Sequence, residues 1–279
     1  LKFLITGGNG FLATELATFL KKNNHILYVT DRTTLDVRNS VQVEDFFSNN
    51  EVDFVLHTAV KGGNRLKSDS INDLFDNLVM FDNLAKHCDK FKLMINFGSG
   101  AEFDRSTEIL NADEKEIFDC YPRDYYGLSK NLIARKILEM NTNIVNLRIF
   151  GCFGEKEKNT RLIKSTINNF RSGKEAVIHQ NKLMDYFYVG DLCRVVDYCV
   201  ENYSSLGFKD LNLCYKEKKT LEETVFLIKC LTSSSSDVII NNRTKGVSYT
   251  GDSSLLESLN LPLVGLERGI VEILEKYET

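Results

Sequence analysis

Tyr126 and Lys130 stand four residues apart in the segment DYYGLSKNL. On a helix that spacing puts both side chains on one face, the ammonium near the phenol. A free tyrosine titrates near ~10, and bringing it to about 7 takes roughly 4 kcal/mol. A unit positive charge at ~4 Å in an effective dielectric of ~20 supplies about that much. The pair therefore has the makings of a proton donor and acceptor at neutral pH. Alone, the spacing equally describes a surface lysine beside a half-buried tyrosine. Ser99 gives it meaning: it follows the apolar run LMINFG, and a hydroxyl at the carboxyl end of a strand can bind a carbonyl oxygen. Phenol, ammonium and hydroxyl together suit hydride transfer at a carbon bearing oxygen.

That chemistry needs a dinucleotide, and LITGGNGFLATEL (4–16) offers a place for one. Gly7, Gly10 and Ala13 follow a strand-like run and open a helix; Gly8, Gly10 and Ala13 also match G-x-G-x-x-A. Gly7 permits a tight turn, Gly10 a close approach of a diphosphate, and Ala13 close packing of helix on sheet. The amides of Asn9, Gly10, Phe11 and Leu12 then face the diphosphate from the positive helix end. The next strand runs into TDRTTLDV, where Asp31 favours the ribose hydroxyls of NAD and Arg32 the 2′-phosphate of NADP. Both are present, so these residues leave NAD and NADP open. Asp36 and Val37 are placed to flank the adenine.

The elements that must position these groups alternate. Strands are expected at 2–6, 25–30, 53–59, 92–98 and 143–151, and helices at 10–22, 40–49, 71–88 and 124–140, with a polar segment at 100–120. Such alternation argues for βαβ units and a parallel sheet. The expected class is α/β: a Rossmann-type doubly wound parallel sheet with a smaller C-terminal α/β region. Residues 1–160, with 176–202 returning, are assigned to dinucleotide binding, and 161–175 and 203–279 to substrate.

Composition narrows the classes. The chain has 279 residues, 43% hydrophobic, with a net charge of −4, which disfavours a general nucleic-acid binder. No apolar run approaches the ~20 residues that span a bilayer. The chain opens straight into a strand, so no signal peptide is read and a cytoplasmic location is expected. Seven scattered cysteines without a CxxC pair read as free thiols, and no metal site is expected.

The order of TGGNGFLA, DFVLHTAVKGG, FGSGAEF, YYGLSK, LRIFGCFG and MDYFYVGDL resembles the extended short-chain dehydrogenase/reductases, specifically the NAD-dependent epimerase/dehydratase family acting on nucleotide sugars. The likeness covers nearly the whole chain and leans towards the fucose-synthase-like 4-ketoreductases. It implies that Arg32 meets the NADPH phosphate, so that NADP(H) is preferred and NAD(H) remains possible. It also implies that Ala59, Val60 and Lys61 line the cofactor, that Asn77 supports the site, and that Ser99, Tyr126 and Lys130 are catalytic. Departures bear on the reaction. The cysteine and histidine of 3,5-epimerisation fall on Ala101 and Arg161; alanine has no proton to give, and arginine stays protonated. The acidic pair of the 4,6-dehydratases falls on Gly100 and Ala101, with Glu102 one place off and expected to pack at a strand edge. Substrate contacts are assigned to Ser99, Gly100, Ala101, Arg161, Arg171 and Lys182. The family's arginine before Asp185 is Met184 here, and an asparagine of its strand-end motif is Gly151, so the nucleotide base is not readable. The resemblance implies a 4-ketoreductase of a nucleotide-linked 6-deoxy keto-sugar. An NAD-dependent 4-epimerase or 4-dehydrogenase and a non-catalytic dinucleotide sensor are the alternatives. It further implies a homodimer paired through 71–88 and 124–140, whose Leu74, Leu78, Leu132 and Ile133 either face outward or pack on the sheet.

Overall fold

The computed structural model describes residues 1–63 and 68–277. In chain order its elements begin β1 (Lys2–Thr6), α1 (Phe11–Lys21), β2 (Ile26–Thr30), α2 (Ser40–Asn49), β3 (Phe54–His57), α3 (Ile71–Ala85) and β4 (Leu93–Ser99). They continue with β5 (Ile109–Ala112), α4 (Tyr125–Glu139), β6 (Ile144–Ile149), β7 (Cys152–Phe153), α5 (Leu162–Arg171), β8 (Ala176–Gln180) and β9 (Phe187–Tyr188). The last are α6 (Val189–Glu201), β10 (Asp210–Leu213), α7 (Leu221–Leu231), β11 (Val238–Asn242), β12 (Tyr249–Gly251), α8 (Ser254–Ser258) and α9 (Gly265–Glu275).

Six strands form one sheet in the order β10-β6-β4-β3-β1-β2. β1 runs parallel to β2 on one side and to β3 on the other, and β3 parallel to β4. The order reverses between β1 and β3, so their carboxyl ends, at Thr6 and His57, flank the crevice where open α/β sheets bind ligands. The doubly wound class expected from the alternation is the one observed.

The chain divides into two compact units. The first comprises Leu1–Ser106, Asp113–Arg148 and Val195–Leu211; the return to it is thus made by 195–211, where 176–202 was expected. Its core packs Leu4, Val55 and Met94 of the sheet against Val43 and Phe47 of α2, Phe81 and Leu84 of α3, and Ile133 and Ile137 of α4. Helix starts are locally encoded: Asn39 caps α2, Ser70 and Asp73 form a reciprocal capping box on α3, and Asp124 caps α4 through the Gly127 amide. On α3 and α4, Leu74 and Ile133 are buried and Leu78 packs against the core, whereas Ile71, Phe75 and Val79 stand exposed along α3. The outward face is therefore offset from the leucines by one residue, about 100° around the helix.

The second unit comprises Thr107–Ala112, Ile149–Arg194 and Asn212–Thr279. It holds three two-stranded sheets, β8 with β11, β5 with β12 and β7 with β9. β5 lies inside the segment expected to be polar. All seven cysteines are free thiols. Among the described residues no helix is long and apolar enough to cross a membrane.

Candidate active site

The glycine loop is shaped by what lies beside it. Gly7 has φ +71, and a Cβ there would fall 2.7 Å from the Ala59 Cα, so the turn is open only to glycine. The Gly10 amide donates to the Gly7 carbonyl at 2.9 Å and closes the turn. Gly10 is also the N-cap of α1 and has no side chain to satisfy the first-turn amides. Those amides, at Phe11 and Leu12, remain available to an anion, and Ala13 is fully buried beneath them. Beside the loop, the Thr58 hydroxyl donates to the Thr6 carbonyl at 2.6 Å, and the Ala59 amide to the Thr6 hydroxyl at 3.2 Å. This cradle fits a dinucleotide diphosphate.

At the end of β2 the carboxylate of Asp31 is engaged by its own loop. It accepts from the Asn9 amide at 2.9 Å, the Thr33 amide at 2.8 Å and the Thr33 hydroxyl at 2.7 Å. These bonds hold its pKa down to about 2. Arg32 is exposed beside it. Asp36 is paired with Arg38, which also reaches Asp76, and Val37 is buried.

Lys61 is fixed by Asn77, whose side chain accepts from the Lys61 amide at 2.8 Å and donates to its carbonyl at 3.0 Å. Asn77 also donates to the Ser129 hydroxyl at 2.9 Å, which donates to the Tyr126 carbonyl at 2.7 Å. The support expected of Asn77 is thus a strap between the loop after β3 and the first turn of α4. Val60 is exposed.

The Ser99 hydroxyl, at the end of β4, lies beside the Tyr126 phenol. It also accepts from the Ala101 amide at 3.2 Å, and Gly100 and Ala101 are buried in the turn it caps. Lys130 is buried and its Nζ donates to the Phe97 carbonyl at 2.7 Å. Burial pulls the lysine down to about 8, with the Glu102 carboxylate opposing. Burial also pushes the phenol up, against the Ser99 hydroxyl and the Arg105 guanidinium 5.7 Å from its ring centre. Lys130, which the spacing was expected to place beside the phenol, instead has its Nζ on the Phe97 carbonyl, and the cation that opposes the burial of the phenol is Arg105; removal from water outweighs it.

Two features escaped the sequence reading. Gly62 and Gly63 have φ +79 and +72, and a Cβ on Gly63 would press within 3.0 Å of the Tyr126 ring. Gly63→Ala should lower turnover several-fold while shifting the melting temperature by only a few degrees, since one left-handed alanine costs about 1–2 kcal/mol. Parallel kinetics and thermal melts check this. Glu102, expected to pack at a strand edge, is instead fully buried and ionic. It accepts from the Ser99 amide at 2.8 Å and from Arg148 Nε at 2.6 Å, and Arg148 also pairs with Asp210. A backbone donor and an arginine from β6 give the carboxylate the partners that burial demands.

Arg161, Arg171 and Lys182 all lie in the second unit. Arg161 is the N-cap of α5, 4.0 Å from the buried Glu157. Burial raises Glu157 to about 7. Arg171 ends the same helix with its guanidinium over Tyr277, at 4.8 Å, so ~15 Å of helix separates the two arginines. Lys182 lies 5.9 Å from the Tyr249 ring centre. The three do not form one cluster.

A model of the NAD-dependent epimerase/dehydratase family matches residues 3–214. A dTDP-D-glucose 4,6-dehydratase of Dictyostelium discoideum is 23% identical over 237 residues, 70% of this chain and 54% of its own, so the chain spans about half that relative. A GDP-mannoheptose C4 reductase from Campylobacter jejuni, solved with NADP bound, superposes with a TM-score of 0.84 at 20% identity, covering 100% of this chain and 98% of that one. A GDP-L-fucose synthetase from Naegleria fowleri bound to NADP gives 0.79 at 17% identity, covering 100% and 94%. At these identities the two structures establish a shared fold.

Proposed function

The chain belongs to the NAD-dependent epimerase/dehydratase family, and we propose that within it the protein is an NADP(H)-dependent 4-ketoreductase of a nucleotide-linked, 6-deoxy keto-sugar. The observation that carries this reading is the half-buried phenol of Tyr126 beside the Ser99 hydroxyl, pushed above its ordinary value by loss of water and so held protonated. A ketone reductase needs a proton donor, and an un-ionised tyrosine is one. The nicotinamide, when bound, supplies the hydride. The Tyr126 hydroxyl delivers a proton to the sugar O4, and Ser99 binds and orients the same oxygen. Lys130 holds the nicotinamide ribose and stabilises the phenolate left behind. Ala101 and Arg161 supply no acid–base pair for 3,5-epimerisation. Gly100 and Ala101 supply no carboxylate for 4,6-dehydration.

NADP is favoured because Asp31 is engaged by Asn9 and Thr33, while Arg32 is exposed at the strand end. Arg32→Ala should weaken NADPH binding by ~10–100-fold, the worth of one charge-assisted hydrogen bond, and leave NADH binding within about twofold. Titration of nucleotide fluorescence decides it; equal losses for both nucleotides speak against the assignment.

The first unit is read as the dinucleotide domain and the second as the substrate domain, working in the cytoplasm. A homodimer paired through α3 and α4 is supported by the exposed Ile71, Phe75 and Val79. The activity test is consumption of NADPH with a 4-keto-6-deoxy sugar nucleotide. A nucleotide-sugar 4-epimerase is the second reading, since the same three residues serve it. It would show as tightly held NAD and interconversion of an intact sugar. Dinucleotide binding without turnover on either substrate class would indicate a sensor.

A further inference from the structure

Beneath the Ser99 turn lies a buried ionic group. Glu102 and Asp210 are two carboxylates on one guanidinium, that of Arg148, and none of the three is more than 4% exposed. Asn146 donates to Asp210 at 2.9 Å and lies 3.3 Å from a Glu102 oxygen. Asp210 is thus satisfied by Arg148 and Asn146, on the side of the network away from Ser99. Glu102 faces the other way, with one oxygen on the Ser99 amide. The backbone is built to admit it: a Cβ on Gly98 would fall 2.2 Å from Glu102 Oε1. Two negative charges against one positive leave one negative charge in excess, in a place where an unbalanced charge is costly. The next cation is Lys130, anchored on the carbonyl of Phe97, one residue before Gly98. The other titratable groups around that lysine add no negative charge. His57, on β3, is kept neutral because burial and Lys130 hold it down to about 3, and Tyr126 is un-ionised.

We propose that Glu102 is a positioning residue of the Ser99–Tyr126–Lys130 centre: it pins the Ser99 amide, and its charge, in excess of the Arg148 pairing, holds Lys130 as an ammonium. This rests on the catalytic roles given above and deepens them. The effect of the Glu102 charge on Lys130 runs in the required direction, opposing the burial that draws the lysine to about 8.

The test follows the Lys130 Nζ by nitrogen NMR against pH in protein labelled at lysine nitrogen, the signal assigned with Lys130→Arg. Glu102→Gln keeps the shape and an acceptor for Ser99 but removes the charge. It should lower the Lys130 midpoint by about one pH unit or more, and move the basic limb of the kcat profile with it. Asp210→Asn removes a negative charge from the far side of the same group, where only Glu102 acts directly on Lys130, and should shift the midpoint by less than half as much. An unmoved midpoint in Glu102→Gln, or equal shifts in both variants, overturns the proposal. Should Glu102→Gln fail to fold, Glu102→Asp decides. It keeps the charge and shortens the reach to Ser99, so the midpoint should hold while kcat falls ~10-fold. A midpoint that drops with aspartate overturns the proposal as well. The NMR reading needs no sugar substrate, so a failed keto-sugar assay would defeat the reductase assignment and leave this inference to be judged by itself.

Discussion

Replacing Tyr126 with phenylalanine should lower kcat by ~10³-fold, within the range of about 10²–10⁴ that a positioned proton donor contributes. The ring would still fill its place against the Gly63 backbone, because the substitution removes only the hydroxyl. The melting temperature should therefore stay within a few degrees, and NADPH should bind as tightly as to the unmodified protein. Ser99 keeps the Ala101 amide, so the turn at the strand end should survive. Single-turnover kinetics with a 4-keto sugar nucleotide would separate the chemical step from cofactor binding. A phenylalanine variant with full activity would remove Tyr126 from the reaction, and the assignment of Ser99 and Lys130 with it.

The second large effect is on stability. Arg148→Met deletes the arginine shared by Glu102 and Asp210 and leaves two buried carboxylates sharing the Asn146 amide. Breaking a buried pair in this way costs about 3–5 kcal/mol, a large part of the ~5–15 kcal/mol by which folded proteins persist. At roughly 2–4 °C per kcal/mol for a chain of this size class, melting should fall by ~10 °C. The loss should depend on pH with a defined sign. Burial already raises both carboxyls above their ordinary values of 4.5 and 3.8, and removing the guanidinium raises them further. Groups whose folded pKa is raised stabilise the fold fully below their unfolded pKa, and that contribution is lost as pH rises through the folded one. The variant should thus be nearest to the parent at about pH 4 and fall progressively behind towards pH 8. Urea titrations across that interval would show it; a penalty that grows on acidification contradicts the buried-charge account.

The contrast between Tyr126 and Glu102 shows what a sequence can disclose here. Gly7, Gly10, Ala13, Ser99, Tyr126 and Lys130 stood out in the sequence because each sits in a local pattern: a strand end, a helix start, one turn of α4. The alternation of strands and helices was legible for the same reason. Glu102 was not. Beyond the Ser99 amide three residues back, its ionic partners are Arg148, 46 residues on, and through it Asp210, a further 62. No local pattern announces a pairing of that range, and a lone acid after a strand reads as surface or packing. β5 was lost similarly, since its partner strand begins at Tyr249, 140 residues beyond Ile109. The tyrosine's acidity was misjudged for a different reason. Spacing places a cation near a phenol, but it carries no measure of how much water the fold removes from both.

The span of that ionic group bears on how the protein is made. A ribosome delivers Arg148 before Asp210, and the 62 residues between them take ~3–12 s to synthesise at about 5–20 residues per second. During that interval the strand carrying the arginine lacks its outer neighbour, because β10 closes that edge of the sheet. The nascent first unit therefore waits, with Arg148 paired to Glu102 alone and the outer edge of β6 open, until the region that separates the two strands has also emerged. Chaperone demand during synthesis should be concentrated in that window.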